Sequence, residues 1–222
     1  MTSQQFNQSA STLQDKINSA RALLLFASAE HGKGLYLTSS FGLQSAVLLH
    51  MVSTLLPDVK IIRIDTQHGH PETEDYFKEL TRLLKLEDRI MTYQGRMTAQ
   101  DQLEKFGEPA IGGKPTDIYK QINKVEPRNR AFKELGVTGW ITGVQHRQSE
   151  QRGKHEFIEK MEFGNKFFPT LNWSSKDVFD YMKAFDLPQH PLWHKGYTTV
   201  GDVFENPYDR GECGLHDFDP VI

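Results

Sequence analysis

Apolar residues along the chain follow two alternating patterns: short continuous runs, and longer stretches with helical spacing. The short runs predict buried strands, and they lie at 35–39, 59–64, 89–93, 140–142 and 167–171. The stretch after the first run places Leu43, Val47, Met51 and Leu55 four residues apart, which predicts a helix with one buried face. Because strands and helices alternate, we expect an α/β fold with a mostly parallel sheet and helices on both of its faces.

Two local signals mark where predicted helices begin. Pro71 stands where a first helical turn is expected, a position that proline favours. Ser174 and Asp177 have the spacing of a capping box, in which two side chains satisfy the backbone N–H groups of the first turn. Further helices are predicted at 11–29 and 127–135, so helices separate the predicted strands.

The length of the chain, 222 residues, suits one α/β domain with its own core, although two small domains would also fit. We take residues 1–222 as a single domain. After Leu187 the periodicity fades, and prolines and glycines interrupt residues 188–222. This segment is expected to be an irregular C-terminal tail that either wraps around the domain or moves.

Charge and hydropathy argue against several classes of partner. The chain has 26 Lys and Arg against 29 Asp and Glu, a net charge of −3, so no global basic field marks a nucleic-acid-binding protein. Its apolar runs all fall short of the ~20 residues that cross a bilayer, and its N-terminal stretch does not resemble a secretory signal. We expect a cytoplasmic protein with neither nucleic-acid nor membrane partners.

The composition also limits the cofactors that the chain could hold. Its one cysteine, Cys213, can neither form an intramolecular disulfide nor hold an iron–sulfur cluster by itself. His68 and His70 flank Gly69, a spacing that matches no helical zinc motif and is typical of a loop. We therefore expect no metal and no bound cofactor.

Two loops at the ends of predicted strands are candidates for ligand binding. Residues 39–42 link the first strand to a helix, where free backbone N–H groups and the helix dipole favour an anion; they are Ser39, Ser40, Phe41 and Gly42. Asp65 and Thr66 end the second strand, where an acidic side chain often accepts a hydrogen bond from a ribose or a base. The alternative is local in both cases: serines that cap a helix, and an aspartate that caps a turn.

Cationic side chains beyond other strand ends suit phosphate or sulfate, because the arginine fork contacts two oxygens at once. The candidates are Lys124, Arg128, Arg147, Arg152 and Arg210. The alternative for any one of them is an ordinary solvated charge. Cys213 lies in the irregular tail between Arg210 and His216, which favours an exposed thiol in its thiolate form. Cys213 is therefore the candidate nucleophile.

Motifs along nearly the whole chain closely resemble those of the phosphoadenylyl-sulfate reductases of sulfate assimilation. The matching stretches are SSFG (39–42), DT and PET (65–66, 71–73), NKVEP (123–127), QSxxR (148–152), HPLW (190–193), GYxxVGD (196–202) and ECGLH (212–216). The resemblance implies an adenine nucleotide alpha-hydrolase-like fold, usually as a homodimer. It also implies that Cys213 attacks the sulfur of 3′-phosphoadenylyl sulfate, that a cysteine S-sulfonate forms as adenosine 3′,5′-bisphosphate leaves, and that thioredoxin or glutaredoxin thiols release sulfite.

Relatives that act on adenylyl sulfate carry two cysteine pairs for a four-iron four-sulfur cluster, and Tyr119 and Lys120 stand here in the place of the first pair. The missing pairs favour the 3′-phosphorylated substrate. The chain departs from the family pattern in the arginine-poor run Gln145-His146-Arg147 and in a shorter stretch between Asp202 and Glu212. Alternative functions are adenylyl sulfate reduction without a cluster, an ATP pyrophosphatase-type reaction on the same fold, and an inactive nucleotide-binding module.

Overall fold

A six-stranded sheet lies at the centre of the computed structural model, which describes residues 12–109, 116–148 and 152–205. The strands are β1 (Leu35–Thr38), β2 (Lys60–Asp65), β3 (Ile90–Gln94), β4 (Gly139–Ile141), β5 (Ile158–Met161) and β6 (Gly164–Phe167). Their spatial order is β3-β2-β1-β4-β6-β5. All neighbours pair in parallel except β5 and β6, which are antiparallel. The prediction of a mostly parallel sheet is confirmed.

Helices precede β1, connect the strands from β1 to β4, and follow β6. They are α1 (Leu13–His31), α2 (Ser45–Leu55), α3 (Pro71–Leu83), α4 (Ala99–Phe106), α5 (Asp117–Lys120), α6 (Glu126–Leu135) and α7 (Ser175–Ala184), with a π-helical turn (Gln121–Val125) joining α5 to α6. Ser174 caps α7 in the predicted capping box with Asp177, and Pro71 is the first residue of α3. None of the helices in the described ranges is both long and apolar enough to cross a membrane.

Alternate residues of the strands face two separate cores. Leu35 and Leu37 of β1 join the larger core, to which α1, α2, α3 and α7 contribute buried residues. Tyr36, between them, joins the smaller core with Phe132 of α6 and Trp140 of β4. This alternation follows from the two-residue period of a strand, and it confirms the expected helices on both faces of the sheet.

The sequence misplaced one strand and missed another. The strand predicted at 167–171 lies earlier, at Gly164–Phe167, because the buried run beyond it, including Phe168 and Leu171, forms a turn rather than pairing with a strand. Apolar content alone cannot distinguish a buried turn from a buried strand. The edge strand β5 escaped prediction because charged residues, Glu159 and Lys160, stand at its centre.

The first part of the predicted tail has local structure. A short 3₁₀ helix, Pro191–Lys195, begins at His190, whose ring Nδ1 accepts a hydrogen bond from the Leu192 backbone N–H at 3.2 Å. The Nε2 atom lies 3.1 Å from the Thr73 hydroxyl on α3. Residues 197–205, which we call the C-terminal strap, then run along the carboxyl edge of the sheet. Arg210, Cys213 and His216 lie outside the described residues.

His190 should make the fold sensitive to acid. Burial lowers its pKa from 6.5 to about 4, and protonating Nδ1 would destroy the acceptor that caps the 3₁₀ helix. The unfolded chain therefore binds more protons between those two values, so stability should fall as the pH drops from about 6.5 towards 4, by about 3 kcal/mol from this residue. Urea unfolding from pH 7 to pH 4 measures the slope.

His190→Asn keeps a capping oxygen but does not titrate, so its free energy of unfolding should depend less on pH than that of the wild type. His194→Asn, the same change at an exposed position of the 3₁₀ helix, is the control and should keep the wild-type slope. Equal slopes in all three proteins would contradict the assignment.

Candidate active site

The order of the strands creates a crevice between β1 and β4. From β1 the chain passes to β2 and then β3 on one side, and it returns to place β4 on the other side of β1. Ligands of open α/β sheets bind at such a switch, beyond the carboxyl ends of the strands. A cavity of about 160 Å³ lies there, lined by Ser39, Ser40 and Gly42 after β1 and by residues 142–145 after β4.

Backbone and ring contacts hold the loop after β1 in place. The Ser39 N–H donates to the Ile62 carbonyl at 3.1 Å, and Ser39 Oγ accepts from the Phe41 N–H at 3.2 Å. Phe41 has a positive φ of 54°, which is unfavourable for a bulky side chain. Its ring is fully buried and meets Phe77 edge to face, with centroids 4.8 Å apart. Burial of the ring offsets the backbone strain and fixes the turn into α2.

A second cavity of about 210 Å³ adjoins the first. The residues that line both are Leu43, Gln44, Gln148, Arg152, Thr198 and Thr199. The second cavity adds Arg147, Ser175, Trp193 and Tyr197. The two cavities therefore form one elongated site, with the C-terminal strap as part of its wall.

Arg152 faces the interior of this site. It is 7% exposed, and its Nη1 donates to Gln148 Oε1 at 2.6 Å. The same oxygen accepts from the Gln145 backbone N–H at 3.0 Å, which ties the guanidinium to the segment after β4. Arg147 is exposed and lines only the second cavity. The two arginines therefore occupy different depths of the site, and both can contact an anion.

Two glutamines that line the cavity, Gln44 and Gln145, each have a buried amide oxygen without a donor among the described residues. Among the described residues, nothing donates a hydrogen bond to Gln44 Oε1 or Gln145 Oε1. An unsatisfied buried acceptor costs about 1–3 kcal/mol. These two amides are therefore the side chains of the cavity wall that have a hydrogen bond still to make.

Asp65 and Thr66 are not among the residues that line the two cavities. Asp65 accepts from the Gln67 N–H at 2.9 Å and from Gln94 Nε2 at 2.7 Å, which is the local capping role considered from the sequence. The Thr66 hydroxyl donates to Asp202 of the strap. Any contact of Asp65 with a nucleotide stays a prediction.

Lys124 belongs to a buried network on the same edge of the sheet. Its Nζ lies 2.8 Å from Glu205 Oε1 and 3.2 Å from Asp202 Oδ2, and the Tyr119 hydroxyl donates to Asp202 Oδ2 at 2.7 Å. Burial alone would raise the pKa of Asp202, but Lys124 and the hydrogen bonds from Thr66 and Tyr119 hold it below its usual range. Burial and the charge of Asp202 raise the pKa of Glu205 against the pull of Lys124.

Sequence reasoning assigned no role to Asp202, Glu205 or residues 198–200 of the strap. The available signal was the GYxxVGD motif, because its last residue is Asp202, which belongs to the buried network around Lys124. The residues 142–145 that line the first cavity were also missed, although they follow a predicted strand. Within the described ranges, no three His, Cys, Asp or Glu side chains gather closely enough to hold a metal ion.

Comparison with known proteins agrees with this architecture. The family model described as phosphoadenosine phosphosulfate reductase domain matches residues 34–206. A phosphoadenosine 5′-phosphosulfate reductase from Synechococcus sp. is 39% identical over 214 residues, covering 89% of this chain and 91% of the relative.

Two solved structures share the fold. The phosphoadenylyl-sulfate reductase from Candida auris, in a phosphate complex, has a TM-score of 0.70 at 29% identity, covering 82% of this chain and 87% of that chain. FMN adenylyltransferase from Candida glabrata has a TM-score of 0.62 at 15% identity, covering 90% of this chain and 68% of that chain, and shows the fold alone.

The fold and the position of the cavity define an α/β protein of the adenine nucleotide alpha-hydrolase-like class, as the sequence predicted. Within that class, the chain belongs to the phosphoadenosine phosphosulfate reductase family.

The strain at Phe41 gives a test of the loop. Phe41→Gly and Phe41→Ala both lose the buried ring, but only glycine adopts a φ of 54° without strain. We expect the glycine variant to be the more stable of the two by about 0.5–1 kcal/mol in urea unfolding. At Ser53 in α2 the same pair should show the reverse order, because alanine favours a helix. An alanine variant that is the more stable at both positions would refute the strained turn.

Proposed function

We propose that the protein reduces 3′-phosphoadenylyl sulfate to sulfite and adenosine 3′,5′-bisphosphate. The observation that carries the proposal is the elongated cavity at the β1–β4 switch, lined by the SSFG loop and Arg152, in a chain of this family. The loop places small hydroxyls and the start of α2 beside the cavity, where an anion is favoured. Arg152 supplies a buried cationic fork, and Arg147 supplies a second at the rim.

The proposed chemistry begins with Cys213 as nucleophile. Its thiolate attacks the sulfate sulfur, and an S–S bond forms. The bond between that sulfur and the 5′-phosphate oxygen breaks, and adenosine 3′,5′-bisphosphate leaves with the electron pair. Arg210 and His216, close in sequence, would favour the thiolate. The product on the enzyme is a cysteine S-sulfonate.

A protein dithiol, thioredoxin or glutaredoxin, completes the proposed reaction. One of its thiolates attacks Cys213 Sγ and displaces sulfite, which leaves with the electron pair. The second thiol then attacks the mixed disulfide, releasing the Cys213 thiolate and leaving the dithiol oxidised. The chain's single cysteine cannot form that disulfide internally, so the two electrons come from the partner. We also propose a homodimer in the cytoplasm, where such dithiols are kept reduced.

Cys213→Ser should abolish sulfite formation and leave nucleotide binding nearly unchanged, because the thiol acts only in the chemical step. Turnover with thioredoxin and calorimetric binding of adenosine 3′,5′-bisphosphate measure the two properties separately. Retained binding is the internal control for a folded site. Substantial turnover by this variant would contradict the covalent mechanism.

Arg147→Ala should lower kcat/KM for 3′-phosphoadenylyl sulfate about tenfold or more, because we expect Arg147 to contact the 3′-phosphate. The same variant should hardly change kcat/KM for adenylyl sulfate, which has no 3′-phosphate. A charge-assisted hydrogen bond is worth about 1.5–3 kcal/mol. Arg152→Ala should reduce kcat/KM for both substrates, because Arg152 is buried between the two cavities.

Equal losses on both substrates in Arg147→Ala would assign that residue to the shared 5′ end or to the fold. A wild type that prefers adenylyl sulfate would show that the Gln145-His146-Arg147 run has changed the specificity.

A further inference from the structure

Asp202 receives contacts from three separate elements of the domain. The Thr66 hydroxyl, just beyond β2, donates to its Oδ1. The Tyr119 hydroxyl on α5 donates to Oδ2 at 2.7 Å, and Lys124 in the π-helical turn lies 3.2 Å from the same oxygen. Asp202 is 4% exposed. A buried carboxylate needs such partners, since an unpaired one would be strongly destabilising.

Backbone and ring contacts fix the strap at the same point. Asp202 forms an isolated antiparallel bridge with Gly69, and the Val203 N–H donates to the His68 carbonyl at 2.9 Å. The next residue, Phe204, is 6% exposed and meets the Tyr119 ring edge to face, with centroids 4.9 Å apart. The strap is thus joined to the domain through its backbone, an ionic network and an aromatic contact within three residues.

This anchor lies between the nucleotide cavity and the candidate nucleophile along the chain. Residues 198–200 line the first cavity, two residues before Asp202, and Cys213 follows Asp202 by eleven residues. Eleven residues span at most about 40 Å. The point at which the strap is fixed therefore limits how far Cys213 can move from the cavity.

We propose that Asp202 is a positioning residue, which anchors the strap so that Cys213 is held within reach of the bound substrate. The inference rests on the proposed function. If the anchor is lost, the tether to Cys213 is counted from Val200, the last residue of the strap that lines the cavity, rather than from Glu205. A tether that grows from eight to thirteen residues lowers the effective concentration of the thiol about twofold. Lost orientation adds to that factor.

Asp202→Asn is the direct test, because it keeps the size of the side chain and removes its charge. In a single turnover at saturating 3′-phosphoadenylyl sulfate, mass spectrometry should show S-sulfonate forming about two- to tenfold more slowly than in the wild type. The Kd of adenosine 3′,5′-bisphosphate should change less than about twofold, since Asp202 does not line the cavities. The alkylation rate by iodoacetamide should not change.

The alkylation readout separates positioning from reactivity. Cys213 is the only cysteine in the chain, so iodoacetamide reports on that thiol alone. A small reagent in solution does not depend on where the tail is held. Tyr119→Phe removes one donor to Asp202 and keeps its charge, and it should give a smaller fall in the same direction. It also keeps the test available if Asp202→Asn does not fold.

Asp186→Asn is the matched control, because it makes the same chemical change at an exposed position. Its positive φ of 51° also suits asparagine. S-sulfonate formation at the wild-type rate in both Asp202→Asn and Tyr119→Phe would overturn the inference. A bisphosphate Kd that rises as much as the rate falls would overturn it too, by making Asp202 part of the nucleotide site. A wild type that forms no S-sulfonate would instead refute the proposed function.

Discussion

The parallel pairing of β1 with β4 is the constraint on which the candidate site depends. Leu37 pairs with Ile141, so both strands end at the same edge of the sheet. The Thr38 hydroxyl donates to the Ile141 carbonyl at 3.2 Å and joins the two ends. The loops that leave the two strands therefore form opposite sides of one crevice, and α2 begins beside that crevice. The SSFG loop and residues 142–145 meet there, although about 100 residues separate them in sequence.

The second constraint is the cost of burying charge along this edge. Lys124 and Asp202 are both almost fully buried, and each would be costly without the other. Glu205 is a second carboxylate beside Lys124, and burial together with the charge of Asp202 raises the pKa of Glu205. When a buried ion pair is replaced by apolar residues of similar volume, the protein is often as stable as before or more stable. Stability alone therefore does not explain the network, whose contacts fix the strap at one point of this edge, as the proposed anchoring role requires.

The sequence predicted the fold class and the inner part of the site because these depend on local patterns. The Ser39–Gly42 loop and Arg152 line the cavity, as strand-to-helix placement and arginine chemistry suggested. Asp65 and Thr66 lie off the cavity because β2 is one strand further from the switch. Their partners could not be read from local pattern, since Thr66 and Asp202 are 136 residues apart. The same holds for Lys124, whose contact with Glu205 spans 81 residues.

A single cysteine imposes a geometric demand on the proposed reaction. Its sulfur must first reach a substrate inside a walled cavity, and must then present the S-sulfonate to a protein dithiol, which is too large to enter a cavity of a few hundred Å³. One rigid position of the thiol cannot satisfy both attacks. If Asp202 anchors the strap as we propose, the chain from Asp202 to Cys213 is eleven residues long, which is enough length for both attacks. Under that proposal the anchor also raises the local concentration of the thiol. The proposed mechanism therefore joins the strap to the lone cysteine: the protein supplies reach, and the partner supplies electrons.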